Sequence, residues 1–219
     1  MDMEIMQLLS VLILLSCFVL VANKRTKSYI RTFQAQSALL AIAAFILGME
    51  NLSGHGAIEI MFVCLLIVTL KVYYIPKLLS HTFANVDYKV EKNFFYNIPL
   101  LVLVSCAIAV FNYFSISSAI GGKPTELGMY LANSVSVIFI GFFFMISRKK
   151  AIGQIVGLLV MENGIFVAAL FASGGMPVLV DVGIFIDLIT AVIIMGIMVF
   201  KINEELETTD INKLKRLRG

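Results

Sequence analysis

Among the ionisable side chains inside long aliphatic runs, four stand out: Glu59, Lys71, Glu162 and Asp187. A charge at mid-bilayer depth costs about 2.5–3.5 kcal/mol on insertion scales, so such residues normally face a bundle interior or water. Glu162, in "GLLVMENGIFVAAL" (157–170), sits at the centre of its run beside Asn163, too deep to reach an interface. A carboxyl held there, between an apolar surrounding and a nearby cation, is poised to take up and release a proton. On the same segment Gly153, Gly157, Gly164 and Ala168 recur at helical spacing and form a small-residue face for close packing, with Glu162 pointing away from it. The structural alternative is a protonated acid that only bonds a neighbouring helix.

Asp187, in "GIFIDLITAVIIM" (183–195), shares one helical stripe with Gly183, Thr190, Ala191 and Ile194. Small and polar members suit a helix-facing or water-facing stripe better than a lipid face. A packing hydrogen bond from the acid is the alternative. Lys71 precedes Pro76, which cannot bond the carbonyl of Val72 and so weakens the helix beside the lysine. A lysine next to a freed carbonyl is a relay element, or else it snorkels to the inner face. Glu59 lies nearer the outer edge of its run and reads as interfacial. The ion-path candidates are therefore Glu162, Asp187 and Lys71, with Asn163, Thr190 and Glu59 secondary; no catalytic or metal-ligating residue is expected.

The elements that must hold these residues are membrane helices. Only 14% of the residues are charged, against roughly 25% in soluble domains. A spanning helix needs about 20 mostly apolar residues. Seven segments qualify: 5–23, 32–51, 57–79, 98–116, 129–147, 152–172 and 178–200. Strand-like alternation is absent, so the fold class is an all-α polytopic bundle rather than a barrel. The first segment follows Asp2 and Glu4 rather than a basic n-region, and is read as a retained helix, not a signal peptide.

Basic residues fix the expected orientation. Lys24, Arg25, Lys27 and Arg31 follow the first segment, Lys77, Lys89 and Lys92 the third, and Arg148, Lys149 and Lys150 the fifth. Lys201, Lys213, Lys215, Arg216 and Arg218 follow the seventh, and the alternate connections hold only Lys123. By the positive-inside rule this is a multi-pass protein of the inner, cytoplasmic membrane with its N-terminus outside and C-terminus inside. Tyr73, Tyr74, Phe94, Phe95 and Tyr96 suit an interfacial aromatic belt. Cys17, Cys64 and Cys106 lie in different segments, and His55 and His81 are the only histidines. That set lacks metal or redox spacing, so no cofactor is expected. The partner implied is the lipid bilayer, not nucleic acid.

Two pairs of segments suggest a weak internal repeat, although similarity between apolar helices is cheap. "FVLVANKRTK" (18–27) matches "FFFMISRKKA" (142–151), and "QSALLAIAAFILG" (36–48) runs parallel to "ENGIFVAALFASG" (162–174). Parallel repeats of this kind occur in transporter folds. The chain then divides into an N-terminal three-helix unit with its loop (1–97), a linker helix and outer loop (98–128), a C-terminal three-helix unit (129–203) and a tail (204–219).

"GLLVMENG" (157–164), "DLITAVIIM" (187–195), "QSALLAI" (36–42) and "KVYYIP" (71–76) carry a resemblance, as does the tail "TTDINKLKRLRG" (208–219) with Thr208, Asp210, Ile211, Asn212, Leu214, Leu217, Arg218 and Gly219. They resemble the component E family of hydrogenase 4 and formate hydrogenlyase-type complexes, and more distantly the K subunit of complex I and the C subunit of Mrp antiporters. The resemblance implies a membrane-arm subunit without metal centres, lying between antiporter-like subunits and a nickel–iron hydrogenase module. It also implies three-helix units whose buried acids join a proton or sodium path. Glu162 takes the place of the acid in the second helix and Asp187 that in the third. The second-helix acid departs from the complex I position by three residues, which keeps the same helical face. Two rival readings stay open: a structural adaptor whose acids only pin helices, and an independent secondary transporter. Carriers of the latter kind usually break helices around a substrate site, and only the Lys71–Pro76 region suggests one.

Overall fold

A computed structural model describes residues 2–50, 64–82, 97–121 and 125–173, all within one compact unit, Met1–Ile184. The elements are helices: α1 (Asp2–Ala22), α2 (Thr26–Glu50), α3 (Cys64–His81), α4 (Ile98–Ala119), α5 (Glu126–Ser147) and α6 (Ala151–Ser173). These six helices are each long and apolar enough to cross a membrane. Glu59, Asp187, Thr190, the 178–200 segment and the tail lie outside the described residues.

Local chemistry sets the ends. The Thr125 hydroxyl caps α5 by accepting from the Gly128 amide at 3.2 Å, with Glu126 in the first turn at the positive end of the helix dipole. Pro99 stands in the first turn of α4, where its missing N–H costs nothing. Residues 23–25 join α1 to α2, and residues 148–150 join α5 to α6. α2 begins at Thr26 rather than at the expected 32, so Lys27 and Arg31 belong to helix rather than to a loop. The reason is packing: Tyr29, Ile30 and Phe33 of these early turns are all buried, which repays extending the helix through polar residues.

The closest helix contact is α5 on α6, and glycine makes it possible. A Cβ on Gly157 would lie 2.8 Å from the Met145 backbone, and one on Gly141 2.7 Å from the Met161 amide. No side chain fits either place, so the small-residue face is turned onto α5.

Outside that pair, α1 packs on α5 and α2 on α6. Asn133 of α5 donates to the Ser10 hydroxyl of α1 at 2.9 Å. Near the other end, the Arg148 guanidinium donates to the Val21 carbonyl at 2.9 Å and to that of Asn23 at 3.5 Å. It lies over the Phe144 and Tyr29 rings, at 4.3 and 5.1 Å. A cation at the carbonyl end of α1 complements its dipole, and the rings offset desolvation. Residue numbers rise together along both contacts, so α1 and α5 run in the same direction. α3 is irregular. Its stretch Val68–Tyr74 is π-helical and leads into the α-helical turns Ile75–Thr82. Pro76 lacks the amide that a regular turn would use, and the Val72 carbonyl instead accepts from Gln34 Nε2 of α2 at 2.9 Å.

Candidate functional site

Glu162 stands midway along α6, on the side away from the glycine face, and Lys71 stands within the π-helical stretch of α3. The fold brings them together: Lys71 Nζ lies 3.3 Å from Glu162 Oε1, with the side chains 1% and 2% exposed. Lys71 therefore does not reach for the inner face. The pair answers how an apolar bundle carries two charges at its centre, since each is the other's counterion.

The lysine is held from three sides. Besides the carboxylate, Nζ donates to Asn163 Oδ1 at 3.2 Å and lies 4.5 Å from the centre of the Phe166 ring. The acid is held by less. Neither oxygen of Glu162 accepts a hydrogen bond from a described residue, although both are buried. A carboxylate held by an ion pair alone keeps its lone pairs available for a proton. Such an arrangement can exchange a proton between a charged pair and a neutral one.

Asn163 carries the contact onward. Its Nδ2 donates to Gln36 Oε1 at 3.2 Å and to the Ser37 hydroxyl at 3.1 Å, both on α2. Gln36 Nε2 in turn lies 3.3 Å from both the Ile13 carbonyl and Cys17 Sγ on α1. All these side chains are buried. One polar line thus runs from α3 through α6 and α2 to α1.

Of the residues singled out from sequence, Lys71, Glu162 and Asn163 meet here, while Asp187, Thr190 and Glu59 lie outside the described residues. Sequence reasoning missed Gln36 and Ser37 as members of the cluster. The signal was available: they are a polar pair inside an apolar run, aligned with Glu162 and Asn163 in the repeat. Gln34 was missed as the partner of the carbonyl that Pro76 frees. Among the described residues, no group of three or more His, Cys, Asp or Glu side chains could hold a metal ion.

No protein-family model matches the chain, and no solved structure does. Among curated proteins, it is 22% identical over 207 residues to an uncharacterized protein of Mycobacterium tuberculosis, covering 94% of this chain and 92% of that one. It is 26% identical over 149 residues to Hydrogenase-4 component E of Escherichia coli K12, covering 68% of this chain and 69% of the relative. The same protein of Shigella flexneri matches to the same extent. The resemblance read from the motifs is supported: over about two thirds of its length the chain is similar to hydrogenase-4 component E.

Proposed function

We propose that the chain is a membrane-arm subunit of an energy-converting, hydrogenase-4-like nickel–iron complex, and that Glu162 and Lys71 take part in moving a cation coupled to redox chemistry in partner subunits. The carrying observation is the ion pair buried at the centre of an apolar bundle. A buried pair contributes little net stability compared with well-packed hydrophobic residues, so its presence calls for a use. The cation is a proton by this reading. The Lys71 ammonium already occupies the cation side of the carboxylate, and a sodium ion would have to share that place against its charge. Asp187 continues the path on the following segment, and antiporter-like subunits and the hydrogenase module are the partners.

The same reading treats 1–97 and 129–203 as parallel repeats joined through α4. Supporting it, the cross-contacts between the α1–α2 and α5–α6 pairs have sequence separations of 123, 125, 126 and 127, close to the offset that aligns the two segments.

A structural adaptor is the rival, favoured by the fact that the ion pair ties α3 to α6. Glu162→Gln separates the two readings. It keeps shape and hydrogen bonding but removes titration. The expected result in the assembled complex is normal subunit recovery with loss of pumping; full pumping would leave the adaptor. Exchanging the charges, Lys71→Glu with Glu162→Lys, preserves a pin but moves the acid to another helix. An adaptor should tolerate the exchange, and a proton site should not.

A further inference from the structure

The buried groups differ in kind on the two sides of the ion pair. Toward the ends of α1 and α2 nearest residues 23–25, Leu20, Ile30, Phe33, Phe144, Val156 and Leu159 are buried, and the buried Arg148 guanidinium holds a fixed positive charge at that end, with Thr26 and Ser147. Toward the opposite face, where α1 begins, a polar seam follows the α1–α5 contact. A groove of about 250 Å³ opens at that face and is lined by Gln7, Tyr113, Ser117, Thr125 and Glu126 among others. The Gln7 carbonyl accepts from the Ser10 hydroxyl at 2.9 Å, and Ser10 accepts from Asn133 at 2.9 Å. Ile13 follows Ser10 by three residues, about 4.5 Å of helix rise, and its carbonyl accepts from Gln36. From Gln36 the line continues through Asn163 to Lys71 and Glu162.

We infer that this seam is a one-sided access path for a hydrated proton, running from the groove at the α1 end of the bundle past Ser10, Asn133, Gln36 and Asn163 to the carboxylate of Glu162. Two independent observations converge on it. The groove at the bundle's end has polar side chains in its lining, and the buried carboxylate at the far end, ion-paired through Oε1, accepts a hydrogen bond at neither oxygen. The hydroxyls and amides between them do not ionise; they supply donors and acceptors that water can exchange for. A proton arriving at Glu162 binds the carboxylate and neutralises it, leaving Lys71 its amide and ring contacts. The apolar side chains on the other side, with the buried Arg148 charge at that end, keep that proton from leaking straight through. The path rests on the reading of Glu162 as a proton site, and its test is separate from the test of that reading.

The test is silver-ion accessibility of single cysteines in the full chain, in native membrane vesicles and chloride-free buffer. The background carries Cys17→Ala, Cys64→Ala and Cys106→Ala. Ser10→Cys and Asn133→Cys, both small replacements, are compared with Leu40→Cys, a fully buried aliphatic position of α2 that is no member of the seam. The readout is the fraction of thiol protected from alkylation after denaturation. Silver added from the α1 side should block Ser10→Cys and Asn133→Cys about ten-fold faster than Leu40→Cys, because thiol reactivity follows access. Blocking no faster than at Leu40→Cys, or faster from the opposite side, overturns the path. Inert cysteines combined with lost pumping in Glu162→Gln would place the access elsewhere and leave the proton site standing. Reactive cysteines with a fully pumping Glu162→Gln would keep the seam and remove the proton site.

Discussion

The α1–α2 and α5–α6 pairs are built alike and equipped differently. Each is two long helices joined by three residues, and like helices lie against like helices across the middle of the bundle. At the meeting point the first pair offers Gln36 and Ser37, the second Glu162 and Asn163. A carboxamide therefore stands in one half where a carboxylate stands in the other. The amide side only donates and accepts hydrogen bonds, whereas the acid side has recruited a cation from α3. On the proposed reading the acid belongs to the α5–α6 pair, its counterion to α3, and the α1–α2 pair serves as support.

The largest effect expected from that difference is on stability when the acid loses its counterion. Lys71→Ala leaves a buried carboxylate uncompensated and should cost about 3–5 kcal/mol. Gln36→Leu, at the matched place, removes hydrogen bonds between neutral groups and should cost about 1–2 kcal/mol. Thermal unfolding of the two variants in one detergent measures the gap. Equal losses would mean that the halves are energetically alike and that the ion pair holds no special charge. The double variant Lys71→Met with Glu162→Leu should regain most of the stability lost in Lys71→Ala, since it buries no charge.

A second difference lies in how tightly each pair is closed. Gly141 and Gly157 let α5 and α6 approach until backbone meets backbone. At the offset of 126 Gly157 corresponds to the exposed Arg31, so the first pair has no counterpart of this contact. Gly157→Ala puts a methyl where the Met145 backbone lies 2.8 Å away and should destabilise by about 1–3 kcal/mol. Ala35→Gly, at an exposed position on α2, should cost no more than about 1 kcal/mol, from helix propensity. If Gly157→Ala melts like wild type, the close approach is not a constraint.

The helical bundle was legible in the sequence because a bilayer imposes length and apolarity on every span, and those survive without any knowledge of neighbours. The chemistry was legible for the same reason: Lys71 and Glu162 stood out as expensive in lipid. Which groups would meet was not. Lys71 and Glu162 are 91 residues apart, and whether the lysine turned inward depended on a π-helical stretch that hydropathy does not register. Gln36 and Ser37 cost too little individually to draw notice, and only alignment with Glu162 and Asn163 marked them. The start of α2 was misjudged because a helix that buries one face near the membrane edge can carry lysines on the other.

The finest test of the comparison is Ser37. Asn163 Nδ2 uses its two hydrogens on two acceptors, Gln36 Oε1 and the Ser37 hydroxyl. Ser37→Ala removes one acceptor and leaves the other, so Asn163 keeps its orientation and its carbonyl stays on Lys71. Hydrogen bonds between membrane helices average about 0.6 kcal/mol in double-mutant cycles, and Ser37→Ala should lose about that much. A cycle with Asn163→Ala should recover a coupling of similar size, because the serine has no other described contact with that amide. Proton pumping by the assembled complex should be unchanged, since the hydroxyl supports the amide and does not touch the acid. Lost pumping at preserved stability would move Ser37 from the supporting half into the chemistry and erase the division between the two halves.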